Sequence, residues 1–170
     1  MLNFERFSRA AGIVAVLSVA LLLAACAKNP AGEPGGLGLG VGQGGAAVPG
    51  SSQDFVVNVG DRVFFETDST DLTAQSRATL DKQAQWLNQY SKYAFTVEGH
   101  ADERGTREYN IALGARRAAI VHDYLVSRGV AANRMRTISY GKERPVATCD
   151  DISCWSQNRR AVTVINNTGT

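Results

Sequence analysis

Gly99-His100-Ala101-Asp102-Glu103-Arg104-Gly105-Thr106 joins the two most regular stretches of the chain. Before it, residues 93–98 alternate, with Phe95 and Val97 between polar or small neighbours, the two-residue period of a strand with one buried face. After it, residues 107–128 carry apolar side chains at helical spacing and stop at Gly129, a natural residue just past a helix end. The eight residues are therefore a strand-to-helix loop. Loops beyond the C-terminal ends of strands are where α/β sheets place their ligands. The helix-start amides from Thr106 to Tyr109 favour a carboxylate there.

Outward from this loop, Thr73 is placed to cap a helix running to about Tyr90, in which Leu80, Ala84 and Leu87 share one face. Phe55-Val56-Val57 and residues 62–66 have the composition of short strands, separated by a Gly60-Asp61 turn. Residues 135–140 and 160–165 supply the closing strands. Strands alternating with two helices predict an α/β (α+β) fold: a two-layer sandwich with a β-α-β-α-β-β core, a mixed sheet, and the helices on one face.

The second predicted helix holds an anomaly. Plotted at about 100° per residue, Leu113, Ile120, Val121 and Tyr124 form one apolar stripe with Arg117 in its middle. An arginine there either snorkels to the surface or meets a carboxylate, because an unpaired buried charge is very costly. Asp102, in the preceding loop, is the obvious partner. Two arrangements fit. The pair closes an internal salt bridge, or the two side chains lie close together on the rim of one pocket, one supplying negative charge and the other a rigid guanidinium fork.

Lys and Arg total 18 and Asp and Glu 16, a net charge of +2. So balanced a chain, without a basic run, argues against nucleic acid as the partner. Arg6 and Arg9 precede an apolar run of 16 residues, from 10 to 25, which is short of the ~20 that span a bilayer. Residues 1–25 thus have the pattern of a cleaved secretory signal, with a membrane-anchoring helix as the competing reading. The run ends Leu23-Ala24-Ala25-Cys26, which resembles the lipobox of bacterial lipoproteins, where the cysteine carries the lipid. Each buried CH₂ of an acyl chain adds ~0.8 kcal/mol, so two or more chains hold a protein at a membrane. The lipoprotein resemblance implies a sorting rule in which Asp after the cysteine retains the protein at the inner membrane; Ala27 stands there instead, which points to the outer membrane.

Residues 26–53 read as the lipidated cysteine and a flexible tether. Nine of the 17 glycines and three of the four prolines fall within 27–53, with no aromatic residue to bury. A folded domain is expected over 54–170. Cys149 and Cys154 then lie in an oxidising compartment, where a disulfide between them persists. A metal site is the alternative, but Cys-x4-Cys offers two ligands and neither histidine is close in sequence.

Beyond residues 99–106, Glu108-Tyr109-Asn110, Leu113-Gly114 and Arg117-Ala118 follow in order, then Ser139-Tyr140-Gly141-Lys142-Glu143-Arg144-Pro145 and Asn158-Arg159-Arg160-Ala161-Val162. Together these closely resemble the peptidoglycan-associated lipoprotein (Pal) family, of OmpA C-terminal-like type. The resemblance covers roughly residues 54–165 and the lipidated N-terminus. It implies an outer-membrane lipoprotein, facing the periplasm, that binds the peptidoglycan stem peptide non-covalently at diaminopimelate. It also implies TolB and other Tol proteins as partners, and a role in envelope integrity and in constriction during division.

Carried onto this sequence, the resemblance has Asp102 accept from the ammonium of diaminopimelate and Arg117 clasp its carboxylate. Asn110 either bonds the stem peptide or braces the loop. Arg159 either lines the pocket or lies solvated. Phe65 and Asp68 match a segment bordering the family's pocket, where Glu66-Thr67 departs from the commoner Asp-Phe. His100 is expected to support the loop through a hydrogen bond. The cysteine pair departs from the best-known members and is read as a clamp on the loop before the last strand. No cofactor and no metal are implied.

An enzyme is the competing class, since Glu98, His100, Asp102 and Glu103 cluster in sequence. His-x-Asp without a third ligand is a weak metal signal, and no Gly-x-Ser-x-Gly nucleophile motif occurs. The sequence therefore favours a binding domain.

Overall fold

The computed structural model describes residues 47–166. The signal segment, Cys26 and most of the expected tether lie outside the described residues. Among the described residues no helix is long and apolar enough to cross a membrane. A helical turn, α1 (Ser52–Asp54), runs into a π-helical turn, Phe55–Val59. There follow β1 (Arg62–Phe64), α2 (Ala74–Gln89), β2 (Ala94–His100), α3 (Arg107–Ser127), β3 (Met135–Gly141), α4 (Ile152–Asn158) and β4 (Arg160–Asn166). The sheet order is β1-β4-β2-β3, with β2 parallel to β3 and β4 antiparallel to both its neighbours. This is the mixed sheet of the predicted α/β sandwich.

The helices begin where side-chain oxygens can take up free amides. Thr73 accepts from the Ser76 N–H at 3.0 Å to start α2, and Thr106 accepts from the Tyr109 N–H at 3.2 Å to start α3. Past α3, Gly129 adopts the left-handed conformation, φ 86°, that closes a helix. Leu80 and Leu87 of α2 and Val121 and Leu125 of α3 meet Phe95 and Val97 of β2 in one buried cluster.

Four local expectations change. Phe55-Val56-Val57 is helical, not a strand. Phe55 is fully buried with its ring 4.9 Å from that of Trp86, whose indole N–H holds Asp54 at 2.8 Å, while Val56 and Val57 stay exposed. One anchored aromatic outweighs the β-branched composition. Tyr93 donates to the Gly50 carbonyl at 2.8 Å and the Gly50 N–H donates to Asp54 at 2.8 Å, so residues 50–53, read as tether, are fastened to the domain. A helix, α4, separates β3 from β4. Within α3, Ile120 is exposed, and the inward stripe is Leu113, Arg117, Ala118, Val121 and Leu125.

Two glycines set how closely α3 rides on the sheet. A Cβ on Gly99 would lie 1.8 Å from the Gly114 carbonyl oxygen, and one on Gly114 would lie 2.4 Å from the Ser139 hydroxyl. The backbones touch, which brings the start of α3 over the end of β2 and over the loop between them. Gly99→Ala is expected to destabilise the domain by about 3 kcal/mol or more, because the obstacle is main chain. Denaturant unfolding at neutral pH measures this, and a near-native midpoint would refute the contact.

Candidate functional site

The loop after β2 is held from several directions. The Ala101 N–H donates to the Gly141 carbonyl at 2.8 Å. The Asn110 amide donates to the Arg104 carbonyl at 2.7 Å, and Lys142 donates to the carbonyls of Glu103 and Gly105 at 3.0 and 2.7 Å. Asn110 is almost fully buried, so its observed role is to brace the loop.

Arg117 is fully buried and makes no ion pair with Asp102. Its guanidinium instead donates to three backbone carbonyls: Nε to Ser69 at 3.0 Å, one terminal nitrogen to His100 at 2.8 Å and the other to Glu66 at 3.1 Å. The Phe65 ring lies beneath it, 5.1 Å from centroid to guanidinium carbon. Burial, and then the nearby Arg159 charge, lower its pKa to about 10, so it stays charged at neutral pH. A guanidinium has five N–H groups, which leaves one on each terminal nitrogen.

Asp102, also buried, is gripped by two other arginines. Arg104 donates from Nε and Nη2 at 3.1 and 2.7 Å and from its backbone N–H at 3.3 Å, while Arg159 reaches the same carboxylate at 3.3 Å. Burial pushes the Asp102 carboxyl up, but the hydrogen bonds and charge of Arg104, with the Arg159 bond, outweigh it and hold the group below the ordinary carboxylate value. The direct Asp102–Arg117 salt bridge is therefore replaced by an Arg104–Asp102–Arg159 cluster beside the buried Arg117.

Asp102 and Arg117 nonetheless border one cleft of about 250 Å³, together with Asp68, Arg104, Tyr109 and Asn110. Asp68 has a left-handed backbone, φ 54°, unusual for a residue with a side chain, and accepts a hydrogen bond from the Tyr109 hydroxyl. Two carboxylates and two guanidiniums thus share a small opening. Phe65 and Arg159 lie behind it and border a neighbouring groove of about 640 Å³ along β1. Arg159 is buried, neither solvated nor in the cleft wall, and its Nε donates to the Phe65 carbonyl at 3.0 Å.

His100 supports the site through its backbone carbonyl, not its ring. Neither ring nitrogen has a hydrogen-bond partner, although Nε2 lies 3.7 Å from Glu98 and the ring packs 5.6 Å from that of Tyr140. Cys149 and Cys154 form a disulfide, Cα to Cα 5.6 Å, and the metal alternative falls away. Arg104, Tyr109 and Trp155 escaped the sequence reading. Arg104, two residues from Asp102, was discoverable as a local partner. Nothing in spacing links Trp155 to a loop about fifty residues earlier.

Two measurements follow from this geometry. Arg117→Ala strands three carbonyls and should destabilise the domain by about 3 kcal/mol or more, which urea unfolding reads directly. Burial, with the Arg160 and Arg144 charges, lowers the His100 pKa to about 4, against about 6.5 in an unfolded chain. As pH falls from 6.5 through 4 the unfolded state takes the proton first, so the domain should lose about 2 kcal/mol by pH 5. His100→Gln should abolish that part of the loss, and an unchanged slope between pH 7 and pH 5 would refute the assignment.

Comparison with known proteins places the chain. The OmpA family model matches residues 64–159. The chain is 67% identical over 159 residues to a peptidoglycan-associated lipoprotein of Rhizobium meliloti (strain 1021), covering 92% of this chain and 89% of that protein. It is 62% identical over 170 residues to one of Agrobacterium fabrum (strain C58 / ATCC 33970), covering 97% and 93%. The crystal structure of the peptidoglycan-associated lipoprotein from Burkholderia pseudomallei matches with a TM-score of 0.64 and 37% identity, over 68% of this chain and all of that one. With the sheet order, the strand-to-helix loop and these identities agreeing, the chain belongs to the OmpA family and, within it, to the peptidoglycan-associated lipoproteins.

Proposed function

We propose that this domain is the peptidoglycan-binding part of an envelope lipoprotein and that it grips the diaminopimelate of the stem peptide in the cleft bordered by Asp102 and Arg117. The observation that carries the reading is the meeting of opposite charges in one small cleft. Diaminopimelate ends in an ammonium and a carboxylate on one carbon. Arg104 and Arg159 between them fill the roughly four acceptor sites of the Asp102 carboxylate, so the ammonium takes the place of one of those donors. The two unused N–H groups of Arg117 meet the carboxylate. Asp68 and Tyr109 border the same opening. No step requires bond making, a metal or a cofactor, and the protein acts by binding rather than by catalysis.

Lipid on Cys26 anchors the chain in the outer membrane, with the glycine-rich tether giving the domain reach toward the wall. In this reading the protein joins membrane to wall, works with TolB and other Tol proteins, and supports envelope integrity and constriction at division. Those partners rest on family resemblance.

The test is co-sedimentation of the full-length protein, in detergent, with purified sacculi. Asp102→Asn keeps the shape and removes the charge, and should weaken retention about 30-fold or more. Sacculi whose stems carry lysine, which lacks the second carboxylate, should retain the wild type poorly. Equal retention on both wall types, or by Asp102→Asn, would overturn the reading. Capture of TolB without retention on sacculi would favour a purely protein-binding role.

A further inference from the structure

Helix α4 is fastened at both ends. The Cys149–Cys154 disulfide ties the approaching loop to the third residue of the helix. At its other end Asn158, buried, accepts from the N–H groups of Val146 and Ala147 at 2.9 and 3.2 Å and donates to the Ala147 carbonyl at 2.8 Å. Between these clamps stands Trp155. Its indole N–H donates to the Glu103 carboxylate, and the Arg104 guanidinium carbon lies 4.1 Å from its ring centroid. Arg104 in turn holds Asp102 with two side-chain donors. The residue following α4 is Arg159, which meets Asp102 as well. Both guanidiniums on the Asp102 carboxylate are therefore placed by one short helix.

We propose that α4 is the positioning element of the cleft, and that Trp155 is a positioning residue whose ring forms the platform on which Arg104 rests while it orients Asp102. The inference rests on the cleft being the wall-binding site. A long arginine side chain samples many rotamers, and here the ring face and the carboxylate together select one. The Arg104 side chain is 41% exposed, so without the ring beneath it water competes for the guanidinium. Trp155 itself does not border the cleft and touches no ligand there. Its effect passes through Arg104 and Glu103. The disulfide restrains the helix that carries the ring.

Two measurements on the full-length protein separate this inference from the reading it rests on. Hydrogen exchange of the backbone amides of residues 102–105, in the absence of wall, reads positioning alone. Trp155→Leu is expected to speed that exchange about tenfold. The double variant Cys149→Ser/Cys154→Ser should act in the same direction, and Trp155→Phe, which restores a ring face, should stay close to wild type. On sacculi, Trp155→Leu should bind about tenfold more weakly at an unchanged thermal midpoint, with Trp155→Phe again near wild type. Wild-type exchange rates in Trp155→Leu, or equal damage from leucine and phenylalanine, would overturn the proposal. If exchange responds as stated while the wild type ignores sacculi, the positioning stands and the wall-binding reading fails.

Discussion

A guanidinium buried at the edge of the cleft ties the domain together. Arg117 projects from the inward face of α3 and donates to carbonyls of Glu66, Ser69 and His100, which belong to the connection between β1 and α2 and to the end of β2. Three carbonyls from two separate stretches of main chain thus converge on one side chain. A buried arginine without acceptors would be prohibitively costly, and carbonyls without donors nearly so, so each side of the arrangement makes the other tolerable. The Gly99–Gly114 contact is its geometric precondition, because only touching backbones bring α3 close enough to the strand end.

Because those carbonyls already hold Arg117, the Asp102 carboxylate does not have to neutralise it. Asp102 is satisfied by Arg104 and Arg159, one of which is well exposed. The cleft therefore has a fixed inner cation beside an acid held by one buried and one exposed arginine. Asp68 adds a second carboxylate, on a left-handed backbone that the Tyr109 hydroxyl helps to hold.

Much of this was legible in the residues. Arg117 stood out because the helical period of residues 107–128 placed a charge on the apolar face; that period left snorkelling and pairing both open, and the structure buries the side chain. The loop from Gly99 to Thr106 was legible because the pattern changes from two to 3.6 residues across it. What failed was pairing. Asp102, in the loop before the helix, seemed the natural partner of Arg117, yet backbone carbonyls took that role, and they leave no trace in a side-chain pattern. Phe55-Val56-Val57 misled for a related reason, since its helical turn depends on Trp86, about thirty residues away. The helix Ile152–Asn158 is too short for periodicity to register, so Trp155 could emerge only from three-dimensional contact.

Fixed charges of both signs also discriminate. A ligand of single sign entering the cleft meets one group that attracts it and another that repels it, and in partly buried surroundings the repulsion is not well screened. A zwitterion whose two charges sit on one carbon satisfies both groups at once. The ordering cost on the protein side is small, since three carbonyls immobilise Arg117 and four donor contacts fix Asp102 before any ligand arrives. Preorganisation of this kind lets a shallow site of a few polar contacts hold a small group on a large polymer. The same logic gives α4 its importance: the acid is only as well oriented as the arginine beside it, and that arginine only as well as the ring on which it lies.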